Sequence, residues 1–130
     1  MRFILMGMAT QESEAGPPPK PEAFVAMQEY NEDLAKRGIL LAAEGLTPTS
    51  KGARVTFNDE ERIVTDGPFA EAKEVVAGFS IIKANSLAEA INWVKRGPNG
   101  DAVVEIRKLM DVEDFGDDFT PNEEISKVKY

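Results

Sequence analysis

The sequence predicts one α+β domain: an antiparallel sheet with two helices on one of its faces. Three observations point there. Apolar runs of strand length alternate along the chain with stretches whose apolar residues recur at helical spacing. The helical stretches carry their own start and stop signals. A chain of 130 residues, 42% hydrophobic and 29% charged, has the size and balance of a single globular core.

The elements follow in order. Phe3 to Met8 is a short apolar run and reads as the first strand. TQESEAGPPPKP reads as a polar loop that three consecutive prolines hold extended and outside any helix. Pro21 fits the first turn of a helix, where its missing N–H has no partner to lose. Ala23, Phe24, Met27, Tyr30 and Leu34 then share one helical face, and Gly38 stops the helix after Lys36 and Arg37. A second strand spans Ile39 to Ala43. ARVTF, the turn-like NDEE and RIVTD read as a β-hairpin. Val75 to Ile82 is a further apolar strand. Ser86 and Glu89 form a capping box opening a second helix, with Leu87, Ala90, Ile91 and Val94 on its buried face and Gly97-Pro98 at its end. Ala102 to Leu109 is the last strand.

With the hairpin treated as an insertion, the order is βαββαβ, the ferredoxin-like arrangement. Two strands then raise a question. Ile39 to Ala43 and Val75 to Ile82 are apolar on both alternating sets of side chains, whereas a sheet with one solvated face alternates apolar with polar. The chain has no further helices to cover the second face, so the expectation is a homodimer.

Composition narrows the function classes. The net charge of −8 opposes a polyanionic partner, so nucleic acid is not expected. No stretch approaches the roughly 20 apolar residues of a membrane span, and MRFILMGMAT lacks the long apolar core of a signal peptide. With no cysteine there is neither a disulfide framework nor a thiolate, and the expected location is the cytoplasm.

Among candidate site residues, Glu44 stands out, because it follows ILLAA at the end of a strand expected to be buried. An ionised carboxylate there either pairs with Arg2, Lys73 or a backbone N–H, or raises its pKa and becomes available for chemistry. The segment TDGPFAEAKE is the most distinctive in the chain. Gly67 supplies backbone freedom and Pro68 fixes φ, giving a rigid turn out of the hairpin. Asp66 either closes that turn on its own backbone while Phe69 plugs the core, or the turn presents Asp66, Lys73 and Glu74 to a cleft. The expected catalytic residues are thus Glu44 and Asp66, and the expected ligand-binding residues Lys73, Glu74 and Arg2. Trp93 and Phe24 read as packing residues. A metal site of Glu44, Asp66 and Glu74 lacks regular ligand spacing, and neither metal nor cofactor is expected. Residues 111–130 form an acidic extension to a domain of residues 1–110; its Phe115 and Phe119 are expected to dock, keeping the tail ordered through Phe119.

TDGPFAEAKEVVAGFSII, with AAEGLTPTSKGARVTF before it and SLAEAINWVKRGP after it, closely resembles the YCII-related family, in its DGPF-motif branch. EIRKLMDVEDFGDDFTP extends the resemblance into the tail. The resemblance implies a ferredoxin-like fold paired into a dimeric α/β barrel, which agrees with the two-sided strands. Related dimeric-barrel families include small enzymes acting on lactones, and some DGPF-type domains occur beside sigma-factor-like regulators. For some YCII-like members the resemblance brings a His–Asp acid–base dyad, which a chain without histidine cannot form. Proton transfer here falls to carboxylates, lysine or tyrosine. Two functions stand open: binding or transforming a small molecule in a pocket near Glu44 and Asp66, or a non-catalytic regulatory or interaction module associated with transcription.

Overall fold

In the computed structural model, the structure is described for residues 1–16, 20–69 and 74–115. The elements run β1 (Arg2–Met8), α1 (Gln11–Glu14), α2 (Pro21–Lys36), β2 (Leu40–Gly45), β3 (Ala53–Asn58), β4 (Glu61–Asp66), β5 (Val76–Lys83), α3 (Leu87–Lys95) and β6 (Val104–Lys108). Single 3₁₀ turns cover Thr49–Lys51 and Val112–Phe115. Four strands form one sheet in the order β2-β5-β1-β6, and β3 and β4 form a separate two-stranded ribbon. All pairings within the larger sheet are antiparallel. Without the ribbon this is the ferredoxin-like βαββαβ order, as the sequence predicts.

Register assigns the faces. Phe3 opposes Ile82 and Lys108, Leu5 opposes Ser80 and Ile106, and Gly7 opposes Gly78 and Val104. This set faces the helices, and its core is Phe3, Leu5, Ile82, Ala84 and Ala90, with Trp93, Val94, Val104 and Ile106 packed against it. Phe3 and Ile82 are almost wholly removed from water, each worth about 1.5–3 kcal/mol of transfer free energy. The alternate set, including Ile4, Met6, Phe79 and Ile81, lies on the helix-free face.

The helix ends behave as their sequences direct. Pro21 sits in the first turn of α2. At its C-terminus Gly38 takes φ +72°, and the N–H groups of Gly38 and Ile39 donate to the carbonyls of Ala35 and Leu34. Ser86 Oγ accepts from Glu89 N, while the Glu89 carboxylate accepts from Asn85 N rather than from Ser86.

Some expectations are corrected. The polar loop contains a short helix, α1, because Thr10 and Ser13 cap each other's backbone N–H groups; Pro17 to Pro19 lie outside the described residues. Phe24 and Leu87 are 58% and 51% exposed among the described residues, so helical spacing put them in line with the core without burying them. The hairpin turn is Asp59-Glu60 alone, with Asp59 at φ +50°, and Glu61 already belongs to β4. Val112–Phe115 is anchored by Asp114, whose carboxylate accepts from Asp111 N and from Lys108 Nζ at 2.7 and 2.8 Å. Phe115 remains half exposed, and Phe119 lies outside the described residues.

Candidate functional site

Glycine sits in the same row on three neighbouring strands. Gly7 of β1 opposes Gly78 of β5, and Gly78 opposes Gly45 of β2, all on the helix-facing side. A side chain at Gly45 would meet nothing within 4 Å, and one at Gly7 only a carbonyl at 3.8 Å. The missing side chains leave a bare backbone floor under α2 and α3, and a cavity of about 370 Å³ occupies the space. Its walls include Leu5, Met27, Val94 and Val104, with Tyr30, Asn31, Ser80 and Asn99 supplying polar atoms. Such a size and mixture is typical of small-molecule sites.

Two polar groups are held in place from outside the sheet. The Tyr30 hydroxyl donates to the Trp93 carbonyl, tying α2 to α3. Burial raises the Tyr30 pKa above its ordinary value of 10.0, with the nearby Arg96 charge opposing the shift. Asn99 Nδ2 donates at 3.2 Å to the Val94 carbonyl, which also accepts from Gly97 N at the end of α3. Gly97 makes room for both: a Cβ there would lie 2.9 Å from Asn99 Nδ2 and 3.3 Å from the Tyr30 ring.

Glu44 borders this cavity. It lies within β2, opposite Phe79, so alternation turns its side chain away from the face that Ala43 and Gly45 share. It is exposed rather than buried, a correction whose reason is topological: β2 is an edge strand, neighboured on one side only. Asp66 ends β4 opposite Ala53 and is also exposed, and no side-chain hydrogen bond or ion pair holds its carboxylate among the described residues. Its proposed closure of the turn is therefore not seen. Glu74 is exposed just before β5, and Lys73 lies outside the described residues. Arg2 sits at the far end of β1, opposite Lys83, with its guanidinium 4.0 Å from Asp111. Lys83 and Phe79 are four positions apart on β5, so Arg2 and Glu44 are separated by roughly 13 Å along the sheet. Among the described residues, no three carboxylates gather as a metal site needs, Glu44, Asp66 and Glu74 included.

The DGPF turn is positioned by residues that the sequence did not single out. The Glu14 carboxylate accepts from Thr49 N at 3.2 Å and from the Thr49 hydroxyl, and Thr49 Oγ1 accepts from Phe69 N at 3.2 Å. Helix α1, the 3₁₀ turn and the DGPF turn are thus joined through one threonine. Arg54 lies over the Phe69 ring at 3.7 Å, so this ring stacks on a cation rather than plugging the core. No sequence signal marks the Glu14–Thr49 pair. Gly7 and Gly78 lay inside expected strands, a sign of close approach or missing side-chain volume, but Gly45 lay beyond the expected end of the second strand at Ala43.

Among the described residues no helix is long and apolar enough to cross a membrane. An uncharacterised protein of Rhizobium meliloti (strain 1021) is 44% identical over 50 residues, which is 38% of this chain and 40% of that relative's own length. Among solved structures, 5-chloro-2-hydroxyhydroquinone dehydrochlorinase from Burkholderia phenoliruptrix AC1100, in complex with 2,5-dihydroxybenzoquinone, is similar at 16% identity and a TM-score of 0.48. That match covers 85% of this chain and 94% of the other. The family model described as YCII-related domain matches residues 1–113, and the chain belongs to the YCII-related family.

Proposed function

We propose that this protein binds a small organic molecule in the cavity above the Gly7–Gly78–Gly45 row, working as a homodimer in the cytoplasm. The observation that carries the reading is the row itself, because Gly7 and Gly45 leave open space under the helices while Gly78, between them, lies close against the Glu44 backbone. The small-molecule reading called for Glu44, Asp66 and Lys73 to converge on a cavity, and the rival, a regulatory or interaction module, for those three residues to be tied up in ion pairs with no cavity. Neither carboxylate has an ion-pair partner among the described residues, and a cavity borders Glu44. The cavity beside Glu44 supports the small-molecule reading; Asp66 does not line it, and Lys73 lies outside the described residues. Glu44 and Asp66 remain proposed proton-transfer groups, since the chain has no histidine, although Glu44 faces away from the glycine row and Asp66 does not line the cavity. Lys73, Glu74 and Arg2 remain proposed ligand-binding groups. The dimer is supported by the two-sided apolar strands, the cytoplasmic location by the lack of cysteine, and the exclusion of nucleic acid by the net charge of −8.

A thermal-shift screen against a metabolite library tests the proposal, with Gly45→Val run beside the parent. A true ligand raises the parent's Tm, by an amount equivalent to about 2.7 kcal/mol at a hundredfold excess over Kd. It leaves the variant unmoved, because valine occupies the cavity. No ligand for the parent, or an equal shift in both proteins, rules the site out.

A further inference from the structure

The cavity over the glycine row is polar in places but uncharged. Among the described residues no lysine or arginine lines it, and its one acidic neighbour, Glu44, turns its side chain away from the face of Gly45. Arg2 and Glu74 do not line it either. Register puts Ser80 on its floor, next to the glycines: Ser80 opposes Leu5 of β1 and Ala43 of β2 on the helix-facing side. Asn31 reaches the same space from α2. Both residues are half-buried, and neither side chain has a hydrogen bond among the described residues. Tyr30 and Asn99 are already engaged. The Tyr30 proton goes to the Trp93 carbonyl and an Asn99 N–H to the Val94 carbonyl, which leaves the Tyr30 oxygen and Asn99 Oδ1 as acceptors.

A charged guest has no partner in such a lining. Moving an unpaired carboxylate or ammonium from water to apolar walls costs far more than moving an amide or hydroxyl, which regains hydrogen bonds from Ser80 and Asn31. The net charge of −8 adds a further barrier to an anion. At about 370 Å³ the space lies near the small end of the roughly 300–1,000 Å³ typical of ligand sites.

We infer that the cavity selects an uncharged small molecule with an apolar body and an amide or hydroxyl edge, held by hydrogen bonds to Ser80 and Asn31, and rejects anions and cations of the same shape. The inference rests on the small-molecule reading above and adds the chemical class of the ligand and the two side chains that recognise it.

Benzamide, benzoate and benzamidine test it, because they share one flat shape and at neutral pH are uncharged, negative and positive. Each is titrated into the isotope-labelled full chain, and the amide signals of Gly7, Gly45, Gly78 and Ser80 report occupancy of the cavity in the parent itself. Benzamide is expected to shift these signals, with benzoate and benzamidine weaker by about tenfold or more. Ser80→Ala and Asn31→Ala, whose own spectra show whether they are folded, are each expected to weaken benzamide about three- to tenfold, the loss of one hydrogen bond. Benzoate or benzamidine bound at these signals as tightly as benzamide overturns the inference and leaves the cavity reading standing. Benzamide binding that both variants leave unchanged does the same. If none of the three compounds moves these signals, the inference and the cavity reading fall together.

Discussion

Gly67 lies directly against the backbone carbonyl of Thr49, so close that a Cβ at position 67 would overlap it. Gly67 N also donates to the Gly52 carbonyl at 3.1 Å. The glycine of the DGPF turn is therefore needed for a close backbone approach, and the approach fixes where Asp66 and Phe69 leave the ribbon. Gly67→Ala is expected to lower stability by about 1–3 kcal/mol, the usual cost of forcing an added carbon into a packed site. Urea denaturation measures it, and an unchanged midpoint contradicts the close approach.

Thr49→Val keeps the shape at position 49 and removes the hydroxyl that serves both Glu14 and Phe69. The expected loss is about 1–3 kcal/mol, since a half-buried carboxylate and an amide each lose a partner. Amide exchange at Phe69 is the specific readout and is expected to quicken. An unaltered rate would mean that the turn holds its place without Thr49.

Gly45→Val tests the cavity from the stability side. The position has open space around it and no left-handed backbone requirement. Stability is expected to hold or rise by about 0.5–1 kcal/mol, because glycine within a strand is entropically costly. A marked loss would show that the space above Gly45 is not available to a side chain.

Glu44→Gln and Asp66→Asn change exposed carboxylates that have no ion-pair partner among the described residues. Each is expected to shift stability by less than about 1 kcal/mol. If the assignment to the site is right, each also abolishes binding of a ligand found for the parent. Retained binding in both variants removes these carboxylates from the site and leaves the cavity standing.

Tyr30 gives the molecule an alkaline limit. Its folded pKa is raised by burial, so the native state holds this proton more tightly than the unfolded chain does. The resulting stability is complete below the unfolded value near 10.0 and is lost as pH rises through the higher folded value. Tyr30→Phe is expected to flatten stability against pH above 10.0 and, by removing the bond to Trp93, to lower stability at neutral pH by about 0.5–1.5 kcal/mol. Denaturation midpoints between neutral and strongly alkaline pH compare the two proteins.

Much of the fold was legible before any coordinates. Pro21, Gly38, Ser86 and Gly97-Pro98 punctuate the helices through short-range hydrogen bonds and backbone limits, which depend only on nearby residues. Strand alternation gave the βαββαβ order with its inserted ribbon, though boundaries moved by one or two residues. The candidate site was less legible. Glu44 was expected to be buried because its neighbours are apolar, but burial of a strand depends on its place in the sheet, and β2 proved to be an edge. The short α1 was hidden by the prolines after it, although the Thr10–Ser13 cap is local.

Local chemistry in the chain specified which segments become strands, helices and turns, and its composition narrowed the partners and the proton-transfer groups. Tertiary structure decided everything that depends on register. Gly7, Gly45 and Gly78 are far apart in the chain, and only the pairing of β1, β5 and β2 sets them in one row beneath the helices. Glu14 and Thr49, 35 residues apart, meet for the same kind of reason. A cavity is a volume left unfilled by several elements at once, and no single segment encodes it. Its presence follows from close packing around side chains that are missing.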